Sequence, residues 1–317
     1  MHKVTILNIP NYYSSFYLLG LERIANLRYN PRKEFAHLNG KPFLVIEYKG
    51  KIAVIENDDP IGVDMSAYSD SDLYFATNKL LDREDYSLKK VTPLFPHYSI
   101  DNSFAYLKLF GFKGMGALGA KEFLRQFYIL FRRPILTNKP FEHLEGNYVF
   151  FSGSIWKKEN WANQMRAEFV TACKSNPYIE FEGGMNPRTD GDLCGLPPSV
   201  MDKRYTPKDF SEKSSKSIIG FSNPAVLDAV SWRLGEYWNY GCFVISFPFK
   251  IEIPTIPIHG NHIHYIEGPE EFSDVLTFAM KNPDYREKVA KGGKTYFQEN
   301  CLPEIQAKRI FDLLENS

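Results

Sequence analysis

Residues 230–246 carry the pattern that decides the fold, and they read VSWRLGEYWNYGCFVIS. The first part has helical character and stops at Gly241, a residue suited to the left-handed position that ends many helices. The apolar run 242–246 follows at once and is typical of a buried strand. A helix that leads directly into a buried strand indicates an α/β unit, in which strands and helices alternate.

The alternation continues outward on both sides of this stretch. In the first half, a helix over residues 12–27 accompanies predicted strands at 3–9, Phe43–Tyr48, Lys51–Glu56, 71–76 and 91–95. In the second half, the predicted strands are 147–152, 178–182, 217–221 and 242–246, with helices at 161–174, 205–213, 270–280, 284–297 and 303–315. This order predicts an α/β fold with largely parallel sheets and two domains, residues 1–143 and 144–300.

Composition narrows the function classes. The chain has 317 residues, 44% of them hydrophobic, which predicts a packed globular protein. The 38 Lys+Arg residues balance the 38 Asp+Glu residues, so the overall charge gives no support for a nucleic-acid partner. The four cysteines lack close spacing and indicate reduced thiols in the cytoplasm. The amino-terminal residues read as a strand rather than a signal peptide, and no window approaches the ~20 apolar residues that a membrane span needs.

Two charged side chains stand on one face of the predicted helix. Arg233 and Glu236 are three residues apart, a spacing that makes side chains neighbours on a helix. A guanidinium group can hold a phosphate through two parallel hydrogen bonds, and a carboxylate one turn later can accept ribose hydroxyls. The alternative interpretation is an ion pair on a solvated helix surface.

A basic residue, a glutamate and a Gly-Cys-Phe-Val-Ile-Ser strand follow one another here, and this order resembles the donor-binding part of nucleotide-sugar glycosyltransferases of the GT-B fold. Group 1, exostosin-like and fucosyltransferase-like members share it. The resemblance covers residues 145–317, and over residues 1–140 it rests on architecture alone. It implies two Rossmann-like domains that face a cleft, with residues 301–317 as a helix that crosses back to the first domain. It also implies a UDP- or GDP-sugar donor, a glycan or glycolipid acceptor, and no metal or other cofactor.

The resemblance assigns further residues to the donor. Ser152, Gly153 and Ser154 close a strand, and such a small-residue turn lets backbone N–H groups approach a diphosphate. Lys157 follows the turn as a cationic candidate, although an ordinary strand–helix turn with solvated lysines has the same sequence. Asn223, just after the strand at 217–221, is expected near the donor base or sugar.

The chain also departs from the family patterns. Fucosyltransferase-like proteins carry a glutamate before the basic residue, whereas Trp232 stands in that place here, which argues against fucosyl transfer from a guanosine diphosphate donor. Retaining relatives often carry two glutamates eight positions apart. Asp228 and Val244 stand eight residues on either side of Glu236, so that pair is absent and an inverting reaction is expected.

An inverting transfer needs a general base, which the resemblance places in the first domain. Asp58 and Asp59 follow the strand Lys51–Glu56, and His97 follows the strand predicted at 91–95; of these three, Asp59 is the first choice and His97 the second. Both also have plain structural interpretations. Asn-Asp-Asp-Pro at 57–60 is a good turn sequence, and His97 can be an ordinary loop histidine.

Three other patterns invite different functions. The segment Gly-Met-Gly-Ala-Leu-Gly at 114–119 matches the dinucleotide fingerprint and makes a nicotinamide-dependent oxidoreductase the alternative enzyme class, beside a non-catalytic carbohydrate-binding protein. Residues 108–133 mix basic and apolar side chains, as expected for peripheral contact with the inner face of a membrane or for a helix between domains. His259, His262 and His264 are clustered but lack a carboxylate or cysteine partner at metal-binding spacing, so no metal site is expected.

Overall fold

The computed structural model describes residues 2–222 and 224–317, and the chain divides into two compact units. Unit 1 comprises Met1–Leu136, Lys250–Pro254 and Glu299–Ser317. Unit 2 comprises Thr137–Phe249 and Thr255–Gln298. The boundaries predicted from the sequence lie at 143/144 and 300/301, without the short return of residues 250–254 to unit 1.

Strands and helices alternate through most of the chain. Unit 1 contains β1 (His2–Ile6), α1 (Ser15–Ile24), β2 (Ala25–Tyr29), β3 (Phe43–Tyr48), β4 (Lys51–Glu56), α2 (Met65–Ser69), β5 (Leu73–Ala76), β6 (Val91–Pro93), α3 (Ser103–Leu118) and α4 (Ala120–Phe131). Unit 2 contains β7 (Tyr148–Ser154), α5 (Asn160–Ser175), β8 (Glu180–Asn186), α6 (Pro207–Ser214), β9 (Ile219–Ser222), α7 (Arg233–Tyr240), β10 (Phe243–Ser246), β11 (His264–Tyr265), α8 (Phe272–Lys281) and α9 (Pro283–Tyr296). The chain ends with α10 (Pro303–Asn316), which belongs to unit 1 as the fold prediction requires. No helix in the described part of the chain is long and apolar enough to cross a membrane.

The sheet of unit 1 is mixed rather than largely parallel. Its strand order is β2-β1-β3-β4-β5-β6, and β3 runs antiparallel to both β1 and β4. The cause is the two-residue turn at Lys49 and Gly50, whose φ angles of 51° and 80° suit a tight hairpin. The helix predicted over 12–27 ends at Ile24, because the next five residues pair in parallel with β1 as the strand β2.

Unit 2 contains two parallel ribbons, β7-β8 and β9-β10-β11. The backbone N–H of Ile218 donates to the carbonyl of Tyr148 at 3.0 Å, so the start of β9 lies beside the start of β7. Gly241 has φ 75° and ends α7 in the left-handed conformation that its sequence predicts. Ligands of parallel α/β sheets bind at the carboxyl ends of the strands, which directs attention to the residues after β7 and β9.

The carboxyl-terminal helix is fixed to unit 1 by a very close approach. A Cβ on Gly20 of α1 would lie 2.1 Å from the carbonyl oxygen of Pro303, the first residue of α10. Along the same face α10 buries Ala307, Ile310 and Phe311 in the core that α1 and the sheet share. Only glycine at position 20 permits this packing distance.

We expect Gly20→Ala to lower the free energy of unfolding by about 1–3 kcal/mol, because the new methyl group forces α1 and α10 apart. Urea denaturation followed by circular dichroism measures the change. Gly116→Ala is the matched control: its Cβ meets nothing within 4 Å, so helix propensity alone is expected to give a gain of up to about 1 kcal/mol. Equal stability of the two variants would contradict the docking of α10 on α1.

Candidate functional site

The turn after β7 has the compact geometry that its small residues allow. Ser152 is buried, and its hydroxyl donates to the side-chain oxygen of Asn186 at the end of β8, 3.2 Å away. A Cβ on Gly153 would lie 3.1–3.4 Å from three side chains, that of Arg166 among them. Glycine therefore lets the backbone and this arginine come close together at the carboxyl edge of the strand.

Arg166 of α5 joins the carboxyl ends of β7 and β9. Its guanidinium donates to the carbonyl of Ser154 at 2.7 Å and to the carbonyl of Pro224 at 2.9 Å. It lies 4.0 Å from the ring centre of Trp156, and the residue is only 1% exposed. A buried guanidinium that binds the ends of two strands defines the floor of the candidate site.

Arg233 reaches the same edge from the start of α7. Its guanidinium donates to the carbonyl oxygen of Ser152 and lies over the rings of Phe151 and Phe210, at 5.2 and 5.0 Å from their centres. The residue remains partly accessible to solvent. Aromatic faces favour a nearby cation, so the charge is held in place while part of the residue stays open to a ligand.

The two guanidinium groups are close enough to perturb each other. Burial lowers the pKa of Arg166 to about 9, and the positive charge of Arg233 lowers it further in the same direction. Burial also lowers the pKa of Arg233. Arginine side chains keep their proton in proteins, so the site concentrates positive charge in a poorly solvated place. An anion bound beside the two side chains would offset this repulsion.

Glu236 is buried rather than placed on a solvated helix surface. It is 7% exposed, and its carboxylate accepts a hydrogen bond from the hydroxyl of Tyr240 at 3.1 Å. That hydroxyl is also in hydrogen-bond contact with Ser211 of α6. The surface ion-pair interpretation therefore does not describe the Glu236 side chain. Of the remaining donor candidates, Lys157 is exposed and Asn223 lies outside the described residues.

A strained loop borders Arg166. Leu227 and Asp228, neither of them glycine, have φ angles of 53° and 63° in the left-handed region. Each such residue costs on the order of 1–2 kcal/mol. A bridge between Pro224 and Val230 closes the loop. Strain of this kind often accumulates at functional sites, and here it lies directly after β9.

Sequence reasoning gave no role to Arg166 or to this loop. The sequence does contain a pattern that points to Arg166, because Ala162, Phe169 and Val170 stand at helical spacing around it on the buried face of α5. A cation on an apolar helix face needs partners in the fold. For the loop we find no signal, since its left-handed residues are of ordinary types.

The candidate base Asp59 of unit 1 lies in a turn that also brings tyrosine close. The backbone N–H of Asp59 donates to the carboxylate of Asp58 at 2.8 Å, which gives the turn that the sequence predicts. Burial raises the pKa of Tyr13, and the charges of Asp59 and Asp58 raise it further, so all three groups are neighbours. Burial likewise raises the pKa of Asp58.

The second candidate, His97, is a core residue. It is 4% exposed, and its ring centre lies 5.1 Å from that of Tyr17 and 6.0 Å from that of Phe16. Burial lowers its pKa to about 3, so the imidazole is neutral at physiological pH. His97 therefore has the neutral form that a general base needs, but its burial leaves an acceptor substrate little access to the ring.

One buried carboxyl group in unit 1 escaped the sequence analysis. Glu56, the last residue of β4, is 1% exposed and accepts hydrogen bonds from the hydroxyls of Tyr74 at 2.5 Å and Tyr86 at 2.7 Å. Burial raises its pKa to about 7 against the effect of those two bonds. Its position three residues before Asp59 fixes the base of the turn that carries the candidate aspartate.

The dinucleotide-fingerprint interpretation is wrong in structural terms. Residues 114–118 lie inside α3, whereas the fingerprint requires a strand before the glycines and a helix after them. Gly114 serves helix packing instead, since a Cβ there would lie 2.4 Å from the ring of Phe123 in α4. Gly119, with φ 80°, separates the two helices.

The histidines take part in ordinary hydrogen bonds. His264 pairs with the hydroxyl of Tyr285 at 2.9 Å, and the ring of His259 accepts from the backbone N–H of Tyr265 at 3.1 Å. Within residues 2–222 and 224–317, no group of three or more His, Cys, Asp or Glu side chains is arranged to hold a metal ion.

Comparison with known proteins identifies the fold. No family model matches the chain. The glycosyltransferase from Rickettsia africae is 9% identical, with 96% of this chain and 80% of that one covered at a TM-score of 0.50. TarM (10% identical, 95% and 58% covered, TM-score 0.48) and the UDP-GlcNAc 2-epimerase of Neisseria meningitidis bound to UDP-GlcNAc (10%, 99% and 100%, TM-score 0.44) are also similar. The match at a TM-score of 0.50 shows that the chain has an α/β fold of the GT-B type.

A curated protein matches over a shorter stretch. Rat inactive phospholipase C-like protein 1 is 21% identical over 135 residues, which are 40% of this chain and 12% of that protein. The chain thus spans about an eighth of the length of this relative. Such a match establishes no family.

We expect His97→Gln to flatten the loss of stability in acid. The unfolded imidazole has a pKa near 6.5 and the folded one about 3, so the unfolded chain binds more protons between these values. Stability is therefore complete above pH 6.5 and falls by about 1.4 kcal/mol per pH unit as the pH drops towards 3. Urea titrations at several pH values measure this slope. The exposed His37→Gln is the control and should keep the wild-type slope; an unchanged slope in His97→Gln would contradict the burial of the imidazole.

Proposed function

We propose that this protein is a glycosyltransferase that moves a sugar from a nucleotide-diphosphate donor to a glycan or lipid-linked acceptor. The observation that carries the proposal is the pair of arginines, Arg166 and Arg233, at the carboxyl edge of the unit 2 strands. In parallel α/β folds this edge is where nucleotides bind. A diphosphate would place negative charge beside the two guanidinium groups and so offset their mutual repulsion.

The donor lies across the ends of β7 and β9 in this proposal. The diphosphate contacts Arg233 and the turn Ser152–Ser154, with Lys157 at its outer side. Glu236 and Asn223 are left for the nucleoside or sugar hydroxyls. During transfer the leaving diphosphate gains negative charge, which fixed guanidinium groups stabilise without reorganisation. The reaction accordingly needs no metal ion or other cofactor.

The proposed sugar, nucleotide and cellular location are inferred chiefly from the sequence. Trp232 replaces the glutamate of fucosyltransferase-like proteins, so we favour transfer of a hexose over that of fucose. UDP and GDP remain equal candidates for the nucleotide. All four cysteines are unpaired thiols, which supports a cytoplasmic location. The structural context of the glycines at 114–119 removes the reason for proposing an oxidoreductase.

Arg233→Ala is expected to weaken the binding of UDP or GDP by about 2–3 kcal/mol, roughly 30- to 150-fold, because a charge-assisted contact to the phosphates is lost. Isothermal titration calorimetry on the folded variant measures the affinity. Arg233→Lys keeps the charge without the planar fork and should lie between wild type and alanine.

Arg204→Ala, an exposed arginine of the same unit, is the matched control and should bind as the wild type does. NAD serves as the negative ligand. Unchanged affinity in Arg233→Ala would remove this residue from the donor site. Binding of NAD in preference to both diphosphates would overturn the proposed function itself.

We expect the transferred sugar to be inverted at its anomeric carbon, with Asp59 as the base. Asp59→Asn should then lower kcat by at least about 100-fold, since general-base catalysis contributes about that much or more. Proton NMR of the fresh product reports its configuration relative to the donor. Asp82→Asn, an exposed aspartate of unit 1, is the control. Retention would contradict the mechanism, whereas inversion with full activity in both Asp59→Asn and His97→Gln would exclude both bases.

A further inference from the structure

Exposed apolar side chains are concentrated on one part of unit 1. Among the described residues, seven of the seventeen large apolar side chains that are exposed fall within residues 104–135. Phe112 is 91% exposed and Phe104 78%, values far above those of core residues. We call the seven, together with the basic residues between them, the α3–α4 face: Phe104, Leu107, Phe112, Leu124, Tyr128, Phe131 and Ile135. Large exposed patches of this kind mark interaction sites.

The packing of unit 1 uses the apolar side chains of this face little, although Lys113 and Arg133 lie over the rings of Tyr29 and Tyr12 at 6.0 and 4.8 Å. Helices α3 and α4 contribute their opposite sides to the core through Tyr106, Phe110 and Phe123, whose rings contact one another. On α4 the exposed positions 121, 124, 125, 128, 131 and 132 recur at intervals of three and four and form one stripe. A helix that needed only its inner face would carry polar residues on such a stripe.

The face is strongly basic in a chain without net charge. Residues 104–135 contain six basic side chains and a single acidic one, Glu122, a surplus of five positive charges: Lys108, Lys113, Lys121, Arg125, Arg132 and Arg133. The carboxylate of Glu122 is already bound by Arg125 at 2.9 Å and Gln126 at 2.6 Å. The partner of this face should therefore be both apolar and negatively charged.

We propose that the α3–α4 face binds the surface of a membrane that contains anionic lipids. Basic and apolar side chains alternate along both helices, so the aromatic rings can enter the acyl boundary while the cationic ends stay among the head groups. A protein partner would favour an apolar centre with a polar rim instead. A second copy of the chain would bring two surpluses of positive charge together. The proposal goes beyond sugar transfer and does not depend on it.

Sedimentation with vesicles of phosphatidylcholine containing 30% phosphatidylserine tests the charge dependence. The full chain should bind these vesicles, bind pure phosphatidylcholine far more weakly, and be released by salt. Lys108→Gln with Lys121→Gln should lower the partition coefficient about 25-fold, since each basic residue near the surface accounts for about fivefold. The exposed lysines of Lys89→Gln with Lys288→Gln form the control pair and should leave it unchanged.

The apolar contribution is tested separately. Phe112→Ser with Phe131→Ser should lower vesicle binding at least tenfold, whereas Ile256→Ser, 75% exposed in unit 2, should not. In Phe112→Trp, the tryptophan emission should shift to the blue on addition of anionic vesicles and be quenched by brominated lipid. Ile256→Trp should show neither effect.

Three outcomes would overturn the proposal. The first is no binding of the wild-type chain to anionic vesicles at low salt. The second is binding that the serine substitutions leave unchanged, which would show ionic attraction without insertion. The third is a concentration-dependent dimer in sedimentation velocity that the same substitutions dissociate, which would assign the face to a second copy. Nucleotide affinity, measured in parallel, keeps these outcomes separate from failure of the proposed sugar transfer.

Discussion

The guanidinium of Arg166 is the interaction on which the candidate site depends. It donates to the carbonyls of Ser154 and Pro224, and so ties the end of β7 to the segment that follows β9. Each of these carbonyls would otherwise lose a strong hydrogen bond in a poorly solvated place, at a cost of about 1–3 kcal/mol. The strands bring the two carbonyl acceptors close to each other, and the arginine fixes the spacing between the strand ends.

The edge formed by the carboxyl ends of β7 and β9 also contains several arrangements that are unfavourable in free energy. Arg233 adds a second positive charge beside Arg166, and Leu227 and Asp228 hold strained backbone conformations nearby. None of these arrangements stabilises the free protein. An anionic ligand that binds only the folded state would offset the charge repulsion and stabilise unit 2 by mass action. Preorganised binding sites often hold repelling charges and strained backbone, and here both are found at one strand edge.

In unit 1, by contrast, the buried polar groups are hydrogen-bonded or uncharged. Glu56 is satisfied by two tyrosine hydroxyls, and His97 is enclosed by aromatic rings that keep it neutral. Gly114 of α3 lets this helix pack closely on Phe123 of α4, and the outer side of the two helices carries apolar and basic residues. The groups of unit 1 that could act on a ligand or a partner therefore lie at the Asp59 turn and on the α3–α4 face.

Local patterns in the sequence determined much of the secondary structure. The strands Phe43–Tyr48 and Lys51–Glu56 are found where the apolar runs predict them, and Gly241 ends α7 because only a residue tolerant of positive φ suits that position. The fold class follows from the alternation of such elements. The strand β2 was missed, since residues 25–29 continue a helical pattern and become a strand through pairing with β1.

The candidate site was predictable only in part for the same physical reason. Arg233, Glu236 and the Ser152–Ser154 turn stand out because short-range spacing reveals them. Arg166 acquires its role from carbonyls 12 residues before it and 58 residues after it, and from a second arginine on another helix. The arginine pair and the strain after β9 arise only when distant segments of unit 2 fold together, and the burial of His97 arises in the same way in unit 1. Sequence determined which groups are available, and tertiary structure decided which of them meet.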